Sequence, residues 1–238
     1  MKLNRIIDLS MPIEEGMRVF PGMPGPACTR VKTHERQGLQ VTKLEMLVHQ
    51  GTHVDAPLHM FRDGETIDQV PLDKLIGEAV VFNLKHKPPG DVISADDFEK
   101  YAEDTKKNDI VVLNTGYEFF LDASHYCNLA PEAAQWLVKH EIKCLAMDLP
   151  SLDPISKKNV RASNQTHPSH HIILNAKIPI VECLVNLDAL TNNRVFFCCL
   201  CLKILSSDGA PARAIALELI DSQNCPETHL FKDAYPRS

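Results

Sequence analysis

Three histidines and one aspartate lie close together in the segment of residues 49–59. They are His49, His53, Asp55 and His59, and the whole chain contains 11 histidines among its 238 residues. All four positions are odd-numbered, and side chains alternate along an extended chain, so an extended segment would project them to one side. A glycine, two β-branched residues and a proline within the segment disfavour a helix. We therefore predict an extended or looped segment that presents four potential ligands.

These residue types suit metal-assisted hydrolysis. Two imidazoles and one carboxylate form a common catalytic zinc shell that leaves coordination positions open for water. A bound divalent metal lowers the pKa of that water from about 15.7 toward about 7, which provides hydroxide at neutral pH. A further histidine without a metal would then serve as general base and acid. The alternative, a set of solvated surface histidines, does not account for four candidates at regular spacing.

A second group of candidate ligands lies downstream. Glu182 is embedded in the apolar stretch IPIVECLVNL, and a carboxylate in such a strand is unfavourable unless it is paired or bound to metal. We predict Glu182 as a metal ligand, with a buried salt bridge as the alternative. The spacing alone does not select among the three nearby histidines. The polar residues of this group are Asn164, Gln165, His167, His170, His171 and Glu182.

The elements around these residues predict an α/β fold with a mixed β-sheet in a single domain covering residues 1–238. Residues 16–26 are predicted as a loop because they are rich in glycine and proline. The Asp208-Gly209 pair predicts a hairpin turn at residues 206–209. Helices are predicted at 94–103, 131–140 and 170–174, the first beginning at Ser94. Strands are predicted at 5–10, 39–48 (running into the histidine segment), 78–83, 109–114, 142–148, 178–181, 195–205 and 212–220.

Composition limits the class of protein. The formal net charge is −6, and no run of basic residues provides the footprint that a nucleic-acid partner requires. No apolar run approaches the length of a membrane span, and no secretory signal is apparent, so we expect a cytoplasmic protein. Without an export signal, the eight cysteines are expected to be free thiols rather than disulfides.

The segment HQGTHVDAPLH resembles the HxGTHxDxPxH signature of the cyclase-like metal-dependent hydrolases. That family includes bacterial kynurenine formamidases and isatin hydrolases. Three further elements carry the resemblance along most of the chain. They are the aromatic-Pro-Gly element at residues 20–22, the D-x-x-S-x-D loop at 148–153 and the D-G-x-P-x-R-A hairpin at 208–214.

The resemblance implies roles for individual residues. His59 would be the acid/base residue, and Phe20 is a candidate for stacking on an aromatic substrate. The family places a histidine twelve positions before the glutamate, which selects His170 over its neighbours. The resemblance thus implies one or two divalent metals, Zn²⁺ or Mn²⁺, with Asp55 bridging between them. The implied ligands are His49, His53, Asp55, His170 and Glu182.

The resemblance also implies a fold and an activity. The fold is a mixed sheet that closes into a barrel-like core with surrounding helices, usually assembled as a homodimer or homotetramer. The activity is hydrolysis of a C–N bond in a formamide or small amide, as in an arylformamidase. Ring opening of isatin or another cyclic amide, imide or lactone is an alternative. A third reading is a protein that binds metal without catalysis. In each catalytic case the partner is a small-molecule substrate.

Overall fold

The computed structural model describes residues 2–118, 125–154 and 166–220. The helices in these ranges are α1 (His34–Gln37), α2 (Leu72–Leu75), α3 (Asp96–Glu99), α4 (Pro131–Lys139) and α5 (Pro168–Asn175). The strands are β1 (Lys2–Asp8), β2 (Ala27–Lys32), β3 (Val41–Glu45), β4 (His53–Asp55), β5 (Ile76–Asn83), β6 (Val92–Ile93), β7 (Ile110–Asn114), β8 (Asn128–Leu129), β9 (Cys144–Met147), β10 (Ile180–Glu182), β11 (Arg194–Cys201) and β12 (Gly209–Ile220).

Seven of these strands form a closed barrel. The main sheet has the order β1-β12-β11-β5-β7-β9-β10-β4, and an additional pairing between β12 and β4 closes the ring. Strands β5, β7, β9 and β10 run parallel, whereas the other neighbours in the ring are antiparallel. The predicted mixed sheet with a barrel-like core and surrounding helices is therefore confirmed.

The parallel strands are apolar on both faces because each face packs against a separate core. Side chains such as Ala79 and Val81 point into the barrel, where they join residues from β4, β11 and β12. Their neighbours Val80 and Phe82 point outward and pack with residues of α3, α4 and α5. Burial of both faces explains why these strands read as continuous apolar runs in the sequence.

Several elements differ from the sequence-based predictions. The strand predicted at 39–48 ends at Glu45 and pairs with β2 in a separate hairpin, so it does not run into the histidine segment. The first helix is limited to α3, and its N-cap is Ala95 and not Ser94. The Asp97 carboxylate accepts hydrogen bonds from the Ser94 N–H and hydroxyl, so only one half of the predicted capping box is present. Strand β11 ends at Cys201 and β12 begins at Gly209, so Asp208-Gly209 leads into a strand and does not form the centre of a tight turn.

Among the described residues, no helix is both long and apolar enough to cross a membrane.

Candidate metal centre

The two sides of the centre are built on neighbouring strands. On β4, His53 and Asp55 flank Val54, and on β10 Glu182 follows Val181. Val54 and Val181 belong to the core inside the barrel, so alternation directs the other three side chains to the outer face. The antiparallel register places Glu182 opposite His53. The sheet itself therefore brings these two ligand candidates together.

The histidines at the ends of the segment are positioned by turns. His49 lies in a turn before Gly51, whose φ of +62° is readily adopted by glycine. His59 ends a short 3-10 helix that begins at Pro57. Of the predicted extended or looped segment, only His53 and Asp55 share a strand, so the ends of the segment take the looped form. The turn before β4 and the short 3-10 helix after it still bring His49 and His59 to the same site.

The centre of the site is a buried nitrogen surrounded by carboxylates. Nε2 of His53 lies 3.4 Å from Oδ1 of Asp55 and 3.5 Å from Oε2 of Glu182. Nδ1 of the same ring lies 2.8 Å from the Gly51 carbonyl oxygen, which places the proton of a neutral imidazole on Nδ1. Nε2 is buried and has no hydrogen-bond partner within the described ranges. A lone pair facing two carboxylates is unfavourable unless a cation lies between them, so this donor set fits a divalent metal.

His170 completes this side of the centre from α5. Its Nε2 atom lies 3.3 Å from Oε1 of Glu182 and 3.9 Å from Oδ2 of Asp55. Its Nδ1 atom lies 2.6 Å from Oδ2 of Asp153. Burial raises the pKa of Glu182, and the charge of Asp55 raises it further, so the two carboxylates repel each other in the absence of a cation.

The neighbours of His170 occupy different surroundings. The ring of His171 makes an edge contact with Phe61, with ring centroids 5.1 Å apart. His167 approaches the far side of His170 and Asp153, and its buried Nδ1 atom has no hydrogen-bond partner among the described residues. Of the three histidines that the spacing left open, His170 is the one that faces Asp55 and Glu182. The candidates Asn164 and Gln165 lie outside the described residues.

His49 and His59 form the more accessible side of the centre. Nδ1 of His49 lies 2.7 Å from Oδ1 of Asp55, and Nε2 lies 2.7 Å from Oδ2 of Asp208. Burial lowers the pKa of His49, but the two carboxylates outweigh this and raise it to about 9. The His59 ring lies 4.0 Å from the His49 ring, and burial together with the neighbouring imidazoles lowers the pKa of His59 to about 4. His59 is therefore neutral at pH 7 and able to accept a proton.

Three further residues complete the description of the site. Phe20 is half-buried in a turn and is not part of the cluster of histidines and carboxylates, although its loop is held to the site where the Gln50 side chain donates to the Pro24 carbonyl. Asp153 and Asp208 contact histidines of the site but were not predicted as functional. In the sequence, the one indication of their importance was that they lie in the motif segments at residues 148–153 and 208–214.

Comparison with known proteins identifies the class to which this chain belongs. Residues 7–154 match the family model described as "Putative cyclase", and the chain belongs to this cyclase family of metal-dependent hydrolases. The family predicted from the motifs is thus confirmed. The match extends from the end of β1 to just beyond β9 and includes the whole histidine segment.

Two relatives are similar over most of their length. The chain is 31% identical over 222 residues to the kynurenine formamidase of Erythrobacter litoralis (strain HTCC2594), covering 92% of this chain and 96% of the relative. It is 30% identical over 215 residues to the kynurenine formamidase of Geobacillus thermodenitrificans (strain NG80-2), covering 89% and 97%.

Solved structures share the fold. A potential metal-dependent hydrolase with cyclase activity superimposes with a TM-score of 0.74 at 28% identity, covering 91% of this chain and 99% of that one. Isatin hydrolase A from Labrenzia aggregata gives a TM-score of 0.76 at 21% identity, covering 90% and 93%, a likeness that concerns the fold alone.

Proposed function

We propose that this chain hydrolyses the C–N bond of a formamide or small amide, in the manner of an arylformamidase. The observation that carries the proposal is the buried Nε2 atom of His53, which faces the carboxylates of Asp55 and Glu182. Such a donor set favours a catalytic divalent cation. The substrate class is supported by the two kynurenine formamidases that are similar over nearly their whole length.

The ligands divide into two groups that share one carboxylate. His49, His53 and Asp55 would hold one ion, and Asp55, His170 and Glu182 would hold a second. Nitrogen and carboxylate donors accept both Zn²⁺ and Mn²⁺. A cation held there supplies a Lewis acid for a carbonyl oxygen and a water of lowered pKa.

His59 would carry the proton during hydrolysis. Its imidazole is neutral at pH 7, since its pKa is lowered to about 4. Oδ2 of Asp208 lies 3.6 Å from Nδ1 of His59, beyond hydrogen-bond distance, so this carboxylate acts on the His59 ring through its charge. As the water oxygen attacks the carbonyl carbon, His59 takes a proton from the water. When the C–N bond breaks, His59 returns that proton to the leaving nitrogen, and the acid and the amine are released.

The site also has access to a small molecule. The side chain of His59 is 27% exposed, whereas those of His53 and Asp55 are 2% and 1% exposed, so His59 lies toward solvent. Phe20, on the loop attached at Gln50, is proposed to stack on an aromatic substrate. The homodimeric or homotetrameric assembly, the cytoplasmic location and the single domain over residues 1–238 stay predictions.

A direct assay tests the proposal. Purified protein is stripped of metal, reloaded with Zn²⁺ or Mn²⁺, and assayed on N-formylkynurenine and isatin in parallel. Metal-dependent release of formate from N-formylkynurenine is expected. Turnover of isatin alone would replace the proposal with the ring-opening alternative. Bound metal without hydrolysis of any amide or ester tested would favour the non-catalytic reading.

A further inference from the structure

The His170 imidazole lies between two carboxylates on opposite sides of the ring. Nδ1 lies 2.6 Å from Oδ2 of Asp153, and Nε2 lies 3.3 Å from Oε1 of Glu182. The side chains of His170 and Asp153 are only 4% and 1% exposed, so water does not compete effectively for these contacts. The two ring nitrogens therefore have distinct and fixed surroundings.

Asp153 fixes the backbone of α5 as well as the ring. Its Oδ1 atom accepts the N–H of Ser169 at 3.0 Å, and Oδ2 accepts the N–H of His170 at 3.1 Å. These N–H groups belong to the first turn of the helix, where no intrahelical acceptor exists. The Asp153 carbonyl oxygen in turn accepts a hydrogen bond from the Tyr126 hydroxyl at 2.9 Å. One carboxylate thus positions both the helix that carries His170 and the orientation of its ring.

The contact also determines which nitrogen can bind a cation. A neutral imidazole carries one N–H, and a carboxylate beside Nδ1 keeps the proton there and leaves the Nε2 lone pair directed at the cluster. We propose that Asp153 is a positioning residue that holds His170 in the tautomer able to bind a metal ion through Nε2. This inference rests on the proposed metal centre and adds a residue that the predicted ligand set did not contain.

The Asp153→Asn variant separates this role from simple packing. The asparagine oxygen still accepts the Ser169 N–H, whereas its amide group donates toward Nδ1 of His170 and no longer accepts the His170 backbone N–H. That donation moves the imidazole proton to Nε2, which then faces Glu182 and no longer offers a lone pair. We expect the affinity for the ion held by His170 to fall by about 10- to 100-fold, the range typical for loss of a partner to a metal ligand.

The experiment is a zinc titration of the metal-free full chain, followed by calorimetry. Wild type, D153N, H170A and the D153N/H170A double variant are compared, and H170A identifies the ion concerned. D153N is expected to weaken the binding of that ion alone. In the H170A background it is expected to cause no further loss of zinc affinity. Asp148→Asn is the matched control. Asp148 is a buried carboxylate of the same loop that accepts the Thr115 and Tyr117 N–H groups, and this variant should leave zinc affinity unchanged.

A second measurement uses the unaltered protein, in case D153N does not fold. ¹⁵N NMR of the zinc-loaded chain should show a protonated Nδ1 and a metal-bound Nε2 for His170. Zinc bound through Nδ1, or wild-type zinc affinity in folded D153N, would overturn the inference and leave the proposed function standing. Failure of the wild-type chain to bind zinc at all would overturn both.

Discussion

Gly209 packs directly against the His49 imidazole. A Cβ atom added to this glycine would lie 2.7 Å from Cε1 of His49 and 2.8 Å from the Val54 carbonyl oxygen. The glycine is thus required for close approach at the start of β12, where it pairs with Asp55 of β4. Its Asp-Gly sequence suggested a turn, but its structural role is to leave space for a proposed metal ligand.

Gly209→Ala should therefore disturb both stability and metal binding. The methyl group meets rigid backbone on one side, so we expect a loss of about 1–3 kcal/mol in the free energy of unfolding. Displacement of His49 should also weaken zinc binding. Urea unfolding and zinc titration measure the two effects. Gly25→Ala is the control, because nothing lies within 4 Å of its added Cβ atom. Identical behaviour of the two variants would contradict the packing argument.

His59→Ala should retain metal and lose turnover. His59 is assigned to proton transfer and not to metal binding, so its removal leaves the proposed ligands in place. The expected loss in kcat is about 10²- to 10⁴-fold, the usual contribution of general acid–base catalysis. Elemental analysis and steady-state assays on the same preparation test both parts. Wild-type turnover in the variant would remove His59 from the mechanism.

Glu182→Gln should reduce the amount of metal bound per chain. The amide is similar in size to the carboxylate but carries no charge, and Glu182 contacts both His53 and His170. If two ions bind, the one shared with His170 should be lost first, whereas His49 and Asp55 still contact each other. Metal content after gel filtration measures the outcome. An unchanged metal content would show that Glu182 is not a ligand.

The metal-free protein should lose stability between pH 7 and 8.5. Despite burial, nearby carboxylates raise the pKa of His49 to about 9 and that of His170 to about 10. Both are protonated in the folded chain but not in the unfolded chain, where the pKa of histidine is about 6.5. Their stabilisation is complete below that pH and declines as the pH rises toward the folded values. Urea unfolding should record a decrease on the order of 2 kcal/mol over this window.

Two comparison samples make the pH experiment specific. His49→Gln should show a shallower decline, because one of the two histidines no longer titrates. Zinc-loaded protein should not show the decline, since protons compete with metal for the imidazoles and binding strengthens as the pH rises. A flat profile for the metal-free wild type would indicate that His49 and His170 are neutral there.

The sequence predicted those parts of the site that depend on local pattern. The grouping of His53 with Asp55 follows from alternation, and the burial of Glu182 follows from its apolar context. The apolar runs likewise predicted β5 and β7, which are buried on both faces. These features were predictable because each is determined within a few residues of the chain.

Other parts depend on contacts between distant segments. Asp208 reaches His49 across 159 positions, and Asp153 reaches His170 across 17. Neither contact follows from alternation or from local composition. The choice of His170 came from the family spacing, since three histidines within five residues offer the same chemistry. The sequence left open whether the segment around His49 is extended or looped, because the odd spacing fits both forms.

Strand β4 is three residues long and pairs with β10 on one side and β12 on the other. The same residues that join the two edges of the sheet thus carry two of the proposed ligands. A metal centre whose ions share Asp55 would link His53 and Asp55 on β4 to Glu182 on β10, and so hold the two strands together where the ring closes. Separation of β4 from β10 would break the coordination, so release of the ion and opening of the ring should occur together.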